Sequence, residues 1–259
     1  MPKYKIGNVG RLLDGSLQSY YWLGFILADG SFDRKQQRLK VGLGEEDQNH
    51  LKVFVEYLGK EFTSKYSASF MDSKIVPVIA EKLGLDKTTP KTYCQPDVSA
   101  YLKLNDHEFL ALFVGFVDGD GSIQYQTSRE TVKVTIKLHA TWLDLLEYMV
   151  QRVFSIFKRE YQSEAIVDNR GFAKVSFANF KLIREIKEFI ISNNIVVLDR
   201  KWNKINLELE TQDELLLAKY LKIESLLRYN VPLGTISDAL DLPHGMVKRI
   251  SAKYVGVRL

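Results

Sequence analysis

One stretch of this sequence is written twice. Trp22-Leu23-Gly24-Phe25-Ile26-Leu27-Ala28-Asp29-Gly30-Ser31-Phe32 returns as Phe113-Val114-Gly115-Phe116-Val117-Asp118-Gly119-Asp120-Gly121-Ser122-Ile123, with Gly, small residue, Asp, Gly and Ser at matching places. Such a repeat constrains the fold strongly, because two copies of one supersecondary unit are expected to sit in related environments. The segments downstream of the two copies match as well. Leu39, Val41 and Leu43 alternate with Arg38, Lys40 and Gly42, and later Val132, Val134, Ile136 and Leu138 alternate with Thr131, Lys133, Thr135, Lys137 and His139. Period two marks half-buried strands. Amphipathic helices come next, marked by Leu51, Phe54, Val55 and Leu58 and by Leu146, Met149, Val150 and Val153, the second opened by Thr141-x-x-Asp144. Further strands are expected over 65–70 and in a hairpin of 164–167 with 172–177, around the turn Asp168-Asn169-Arg170-Gly171. Helices are expected over 179–192 and, containing Pro77, over 75–83. The expectation is an α+β fold of tandem αββαββα units, 1–105 and 106–208, each with one sheet covered by helices on one face.

Composition narrows the classes. With 46% hydrophobic and 26% charged residues and 6 Pro in 259 residues, the chain can bury a core and is neither disordered nor fibrous. The single cysteine, Cys94, excludes a disulfide scaffold and a cysteine-based zinc site and suits a reducing, cytoplasmic setting. The apolar runs from Tyr20 to Ala28 and from Phe109 to Val117 are about half the ~20 residues a membrane helix needs, so no membrane partner is expected. Met1 to Gly10 is basic but lacks the apolar stretch of a signal peptide. A net charge of +4 permits a nucleic-acid partner without requiring one.

The repeated acids ask for a reason. Gly30 and Gly121 read as helix-ending glycines in the left-handed conformation, which puts Asp29 and Asp120 at helix C-termini. A carboxylate there opposes the helix dipole by a few tenths to ~1 kcal/mol. Taken singly, each Asp-Gly is an ordinary helix end. Taken together they suggest a shared site, because Gly24 with Ala28 and Gly115 with Gly119 form small-residue faces on which the two helices could approach closely. Two carboxylates side by side repel unless a divalent cation lies with them, and oxygen-only ligation suits Mg²⁺. Metal-linked acids beside a basic sheet suggest phosphodiester hydrolysis. Asp118, two residues before Asp120, should point to the opposite side of its helix and reads as structural or solvating. Glu45, Glu46 and Asp47 read as caps of the helix that follows them.

At these residues the sequence resembles the LAGLIDADG homing endonucleases in their monomeric two-repeat form. Trp22 to Gly30 and Phe113 to Gly121 occupy the nine motif positions, with the second acid of the motif at Asp29 and Asp120 and the first replaced by Leu27 in copy one. The resemblance spans about residues 15–205. It implies a pseudo-twofold saddle of antiparallel strands in the DNA major groove, with the motif helices at the interface. It further implies Mg²⁺-dependent cleavage of both strands of a long, pseudo-palindromic double-stranded site, one motif Asp serving each strand. Two or three metal ions would be held by Asp29, Ala28, Asp120 and Gly119, with Mn²⁺ or Ca²⁺ able to substitute. Members often bring a basic residue to the active site from the segment after each repeat's last helix. Lys87 and Lys91 in Asp86-Lys87-Thr88-Thr89-Pro90-Lys91-Thr92, and Arg200 and Lys201 in Leu198-Asp199-Arg200-Lys201, stand in comparable places, and Lys87 and Lys201 are the expected catalytic pair. On the sheet face, Arg34, Lys35, Arg38, Lys40, Lys65, Gln124, Gln126, Arg129, Lys133, Lys137, His139, Arg159, Arg170 and Lys174 are the DNA candidates.

Beyond the repeats, Thr211-x-x-Glu214 opens a helix expected to reach Tyr229, and 236–250 resembles a helix-turn-helix, with apolar or small residues at Ile236, Ala239, Leu240, Leu242, Val247 and Ile250. Asp241 stands where such motifs usually have Gly. In this module, 209–259, His244, Lys248, Arg249 and Lys253 would carry DNA contacts. Two other functions stay open: a non-catalytic LAGLIDADG and helix-turn-helix transcriptional regulator, which retention of both acids disfavours, and an RNA maturase acting on a host intron RNA.

Overall fold

The hydroxyl of Ser16, in extended geometry, accepts from the Ser19 amide and starts α1 (Leu17–Asp29), in which every residue from Ser19 to Ala28 is buried. A helix apolar all round belongs in the interior. The computed structural model in which it is seen describes residues 8–64, 66–86, 88–126, 131–161, 164–205 and 212–256. From α1 the chain passes straight into β1 (Gly30–Asp33), then β2 (Arg38–Gly42), α2 (Gln48–Tyr57), β3 (Ser67–Met71), α3 (Ile75–Lys82) and the short α4 (Ser99–Leu102). Asn105 and Glu108 form a reciprocal capping box at the head of α5 (Asp106–Asp120). There follow β4 (Gly121–Gln126), β5 (Thr131–His139), α6 (Leu143–Ile156), β6 (Ile166–Val167), β7 (Phe172–Phe177), α7 (Phe180–Ser192) and α8 (Asp199–Trp202).

Two antiparallel sheets result, ordered β1-β2-β3 and β4-β5-β7-β6. Their registers sort side chains by face. Leu39 lies opposite Phe70 and Ile136 opposite Val175 on the buried faces, while Lys40 opposite Ser69 and Lys137 opposite Lys174 lie on the outer faces. The second repeat follows the expected αββαββα order. The first has one strand fewer among the described residues, and its link from Tyr57 to Ser67 is shorter than that from Ile156 to Phe172. Pro77 sits in the first turn of α3, where no helical N–H is lost.

Three local features differ from the sequence expectation. Gly30 and Gly121 are extended, at φ −72° and −84°, not left-handed. Glycine is required there sterically, since a Cβ would stand 2.5 Å from the Ile26 or the Val117 carbonyl oxygen. The Thr141 and Asp144 pair does not cap α6; a 3-10 turn over Ala140–Trp142 precedes that helix, and the His139 ring accepts from the Thr141 amide. Asp47 makes no cap for α2 and instead pairs with Arg200.

The small-residue faces do bring α1 and α5 together. A Cβ on Gly24 would run into the Leu112 carbonyl, one on Gly115 into the Tyr21 carbonyl, and one on Gly119 into Ala28. The backbones therefore touch along this crossing. Both repeats belong to one compact unit ending at Ile205.

The second unit, Asn206–Leu259, contains α9 (Gln212–Arg228), α10 (Leu233–Ala239) and α11 (His244–Gly256). Ile223, Ile236, Val247 and Ile250 form its core. Asp241, at φ +50°, turns the chain between α10 and α11, and the Ser237 hydroxyl donates to the Leu242 carbonyl at 2.6 Å to close that turn. Thr211 lies outside the described residues. Among the described residues no helix is long and apolar enough to cross a membrane.

Candidate functional site

Because α1 and α5 cross at their glycines and each ends on its acid, Asp29 and Asp120 come to line one groove of about 650 Å³, together with Lys91, Tyr93, Lys137 and His139. Asp29 opens onto the groove, yet the protein packed around it raises its carboxyl to about 6, and the neighbouring Asp120 pushes the same way. Burial raises Asp120 too, with Lys91 and Lys201 opposing the shift. Crowding and burial thus favour the neutral form of both acids unless positive charge lies with them.

Each motif helix has a lysine on its C-terminal end. Lys91, carried on a 3-10 turn, donates to the Leu27 carbonyl at 3.0 Å and to the Ala28 carbonyl, and burial lowers its ammonium to about 8 against the pull of Asp120 and Asp29. Lys201, on α8 and buried, donates to the carbonyls of Val117 at 3.0 Å, Gly119 at 3.2 Å and Gly121 at 2.7 Å, and to that of Asp118. Its ammonium is also held below its usual range by burial. Both lysines thus neutralise the negative ends of the motif helices, which offsets the cost of placing acids there. Lys87 lies outside the described residues, so the pairing seen is Lys91 with Lys201.

Two carboxylates are hard oxygen donors and fit a divalent cation such as Mg²⁺ or Ca²⁺. Among the described residues no third His, Cys, Asp or Glu joins them in a metal-binding group. The carbonyls of Ala28 and Gly119, the other two expected metal ligands, accept from the ammonium groups of Lys91 and Lys201.

Asp118 is structural but not solvated. It is 1% exposed and accepts from the Tyr21 hydroxyl, the Leu198 amide and the Trp202 indole. Burial pushes it up to about 7 despite these three donors. His50, buried next to Tyr21, is lowered to about 4 by the same desolvation. Tyr21, His50 and Trp202 carry no sequence signal, since aromatic residues and a lone His on apolar faces read as ordinary core.

The DNA candidates divide by location. Lys40, Gln124, Lys133, Lys137, His139 and Lys174 stand on the outer faces of the sheets. Lys137 is tied to Asp168 at 2.7 Å and lies over the Phe172 ring, and His139 meets Tyr93 edge to face. Arg38 pairs with Asp33, and Arg34 approaches Asp86 at 3.9 Å. Lys35 and Arg170 are exposed in turns. Arg159, by contrast, follows α6 and grips both carboxylate oxygens of Glu185 on α7 through its Nε and Nη2, on the helical layer and not on the sheet face. Lys248, Arg249 and His244 are exposed on α11. Lys65 and Arg129 lie outside the described residues, as do the side chains of Gln126 and Lys253.

No protein-family model and no curated protein matches the chain. Among the solved structures it resembles are LAGLIDADG homing endonucleases. I-SmaMI bound to an uncleaved DNA target with calcium ions shares 14% identity, over 86% of this chain and 99% of that one, at a TM-score of 0.45. The I-SmaMI LAGLIDADG homing endonuclease bound to cleaved DNA shares 15% over 89% and 94%, at 0.43. The LAGLIDADG meganuclease I-AabMI bound to uncleaved DNA shares 11% over 78% and 91%, at 0.44.

Proposed function

We propose that this chain is a site-specific endonuclease of the LAGLIDADG type, hydrolysing both strands of a long, nearly palindromic DNA duplex as a monomer. One observation carries the reading: two acids at equivalent places of a repeat, each with a lysine on its helix end, line one groove at the crossing of α1 and α5. Asp29 and Asp120 would hold Mg²⁺, which when bound supplies a Lewis acid for activating water and stabilising the leaving oxygen. Lys91 and Lys201 place fixed positive charge where the pentacovalent phosphate gathers negative charge. Lys40, Lys133 and Lys174 engage phosphates, and Gln124 is suited to an adenine edge. Each acid serves one strand, so tandem units in one chain read two half-sites without a partner. Lys248 and Arg249 on α11 add a second point of DNA contact and hence avidity.

The test is selection of cut duplexes from a random library with Mg²⁺, comparing the native chain with Asp29→Asn/Asp120→Asn. The native chain should yield one cleaved target family, which the double variant binds but leaves intact. Binding without cleavage by the native chain would instead support the regulator.

A further inference from the structure

The carboxylate of Asp118 joins parts of the chain that are distant in sequence, and among the described residues the first repeat has no equivalent carboxylate. Its Oδ2 accepts from the Tyr21 hydroxyl and from the Leu198 amide, each at 2.8 Å, and its Oδ1 from the Trp202 indole at 2.7 Å. Tyr21 has one hydroxyl hydrogen and gives it to Asp118, so His50 Nε2, 2.7 Å from the same oxygen, is the donor there. The network therefore runs from α2 and α1 of the first repeat through α5 to α8. Lys201 sits between its two anchors, Leu198 and Trp202, one residue before the indole.

At the corresponding motif position the first repeat has Leu27, buried and without a side-chain acceptor. Lys91 is only partly buried and reaches two helix-end carbonyls where Lys201 reaches four. Its turn is held by backbone bonds, from Tyr93 and Cys94 to Pro90, and by the Trp142 indole donating to the Thr92 carbonyl at 3.3 Å.

We propose that Asp118 is a positioning residue that fixes Lys201 against the end of α5, making the two halves of the site unequal: the half with Asp120 is preassembled, and its strand is cut first. This rests on the nuclease reading above. A lysine held on both sides stays in the productive geometry, and small misplacements of such groups cost up to about 10²-fold in rate.

Trp202→Phe keeps an aromatic side chain and removes one donor to Asp118, while Asp118→Asn turns an amide N–H towards one of its donors and serves as the harsher variant. With the selected duplex labelled on each strand, Trp202→Phe should slow one strand about tenfold or more beyond the other, with DNA affinity preserved. The slowed strand should be the one that Asp120→Asn loses. Equal slowing, or slowing of the strand lost in Asp29→Asn, overturns the proposal. A second readout needs no cutting. The full-length proteins are treated with acetic anhydride, and acetylation of Lys201 and Lys91 is followed by mass spectrometry. Lys201 should react about tenfold faster in Trp202→Phe while Lys91 keeps its rate, whereas an unchanged Lys201 rate sinks the proposal. A native chain that cuts no DNA would defeat the nuclease reading, and the acetylation arm would still decide whether Asp118 holds Lys201.

Discussion

In the first repeat the residue two before the acid is Leu27, one more apolar contact in a buried helix; in the second it is Asp118, with three donors converging on it. The same pair of halves is matched at Gly24 and Gly115, each of which admits a carbonyl of the other helix where a Cβ would stand. Symmetry is kept where backbones touch and given up where side chains support the lysines. The lesson is that close packing of α1 on α5 places the two acids, while polar support for the groups around them is supplied separately to each half.

The largest expected effect tests the symmetric part. Gly24→Ala and Gly115→Ala should each destabilise by about 3 kcal/mol or more, because the added methyl meets backbone that cannot turn aside. Urea unfolding should show the two costs to be similar, and a much cheaper substitution in one helix would mean that the crossing is not symmetric. Next comes the asymmetric part. Asp118→Asn should cost about 1–3 kcal/mol, since one of three donors is left facing an N–H. The volume-conserving Leu27→Met should cost less than about 1.5 kcal/mol in the same assay.

A smaller effect separates the two layers of the second repeat. Arg159→Ala should lose no more than about 1 kcal/mol of stability with its partly exposed ion pair and leave DNA affinity unchanged. Lys133→Ala should leave stability alone but weaken DNA binding and flatten its dependence on log salt by about one unit of slope. The smallest concerns the second unit. Asp241→Gly should raise its stability by a few tenths of a kcal/mol, since Asp241 holds a left-handed φ of +50° that glycine adopts freely. Calorimetry on the full chain would check it.

Much of the architecture was legible because it depends on local pattern. Period-two alternation placed Lys40, Lys133 and Lys137 on the outer sheet faces, and Asp168-Asn169-Arg170-Gly171 announced the turn that joins β6 to β7. The paired acids were legible because the motif repeats with its small residues at helical spacing. Features set by tertiary neighbours were not legible. The glycines after the acids are required by carbonyls one turn back, which no propensity for left-handed turns reports. The placement of Lys91 on the end of α1 depends on how the segment after α3 returns, so its spacing alone could not rank it above Lys87. Helical spacing turns Asp118 from the groove, but its partners at Tyr21, Leu198 and Trp202 come from distant stretches. Arg159 follows a helix with nothing in its own segment to announce Glu185 of α7, which takes it to the helical layer.

The central claim is that Asp29 and Asp120 form one site and divide the two DNA strands between them. Strand-resolved cleavage of the selected duplex by the single variants Asp29→Asn and Asp120→Asn tests it most directly. Each variant should fold as well as the native chain, or slightly better with a helix-end repulsion removed. Each should leave one strand uncut, and the spared strands should be opposite ones. Loss of the same strand in both variants, or unimpaired cutting of both strands by either, would contradict the account.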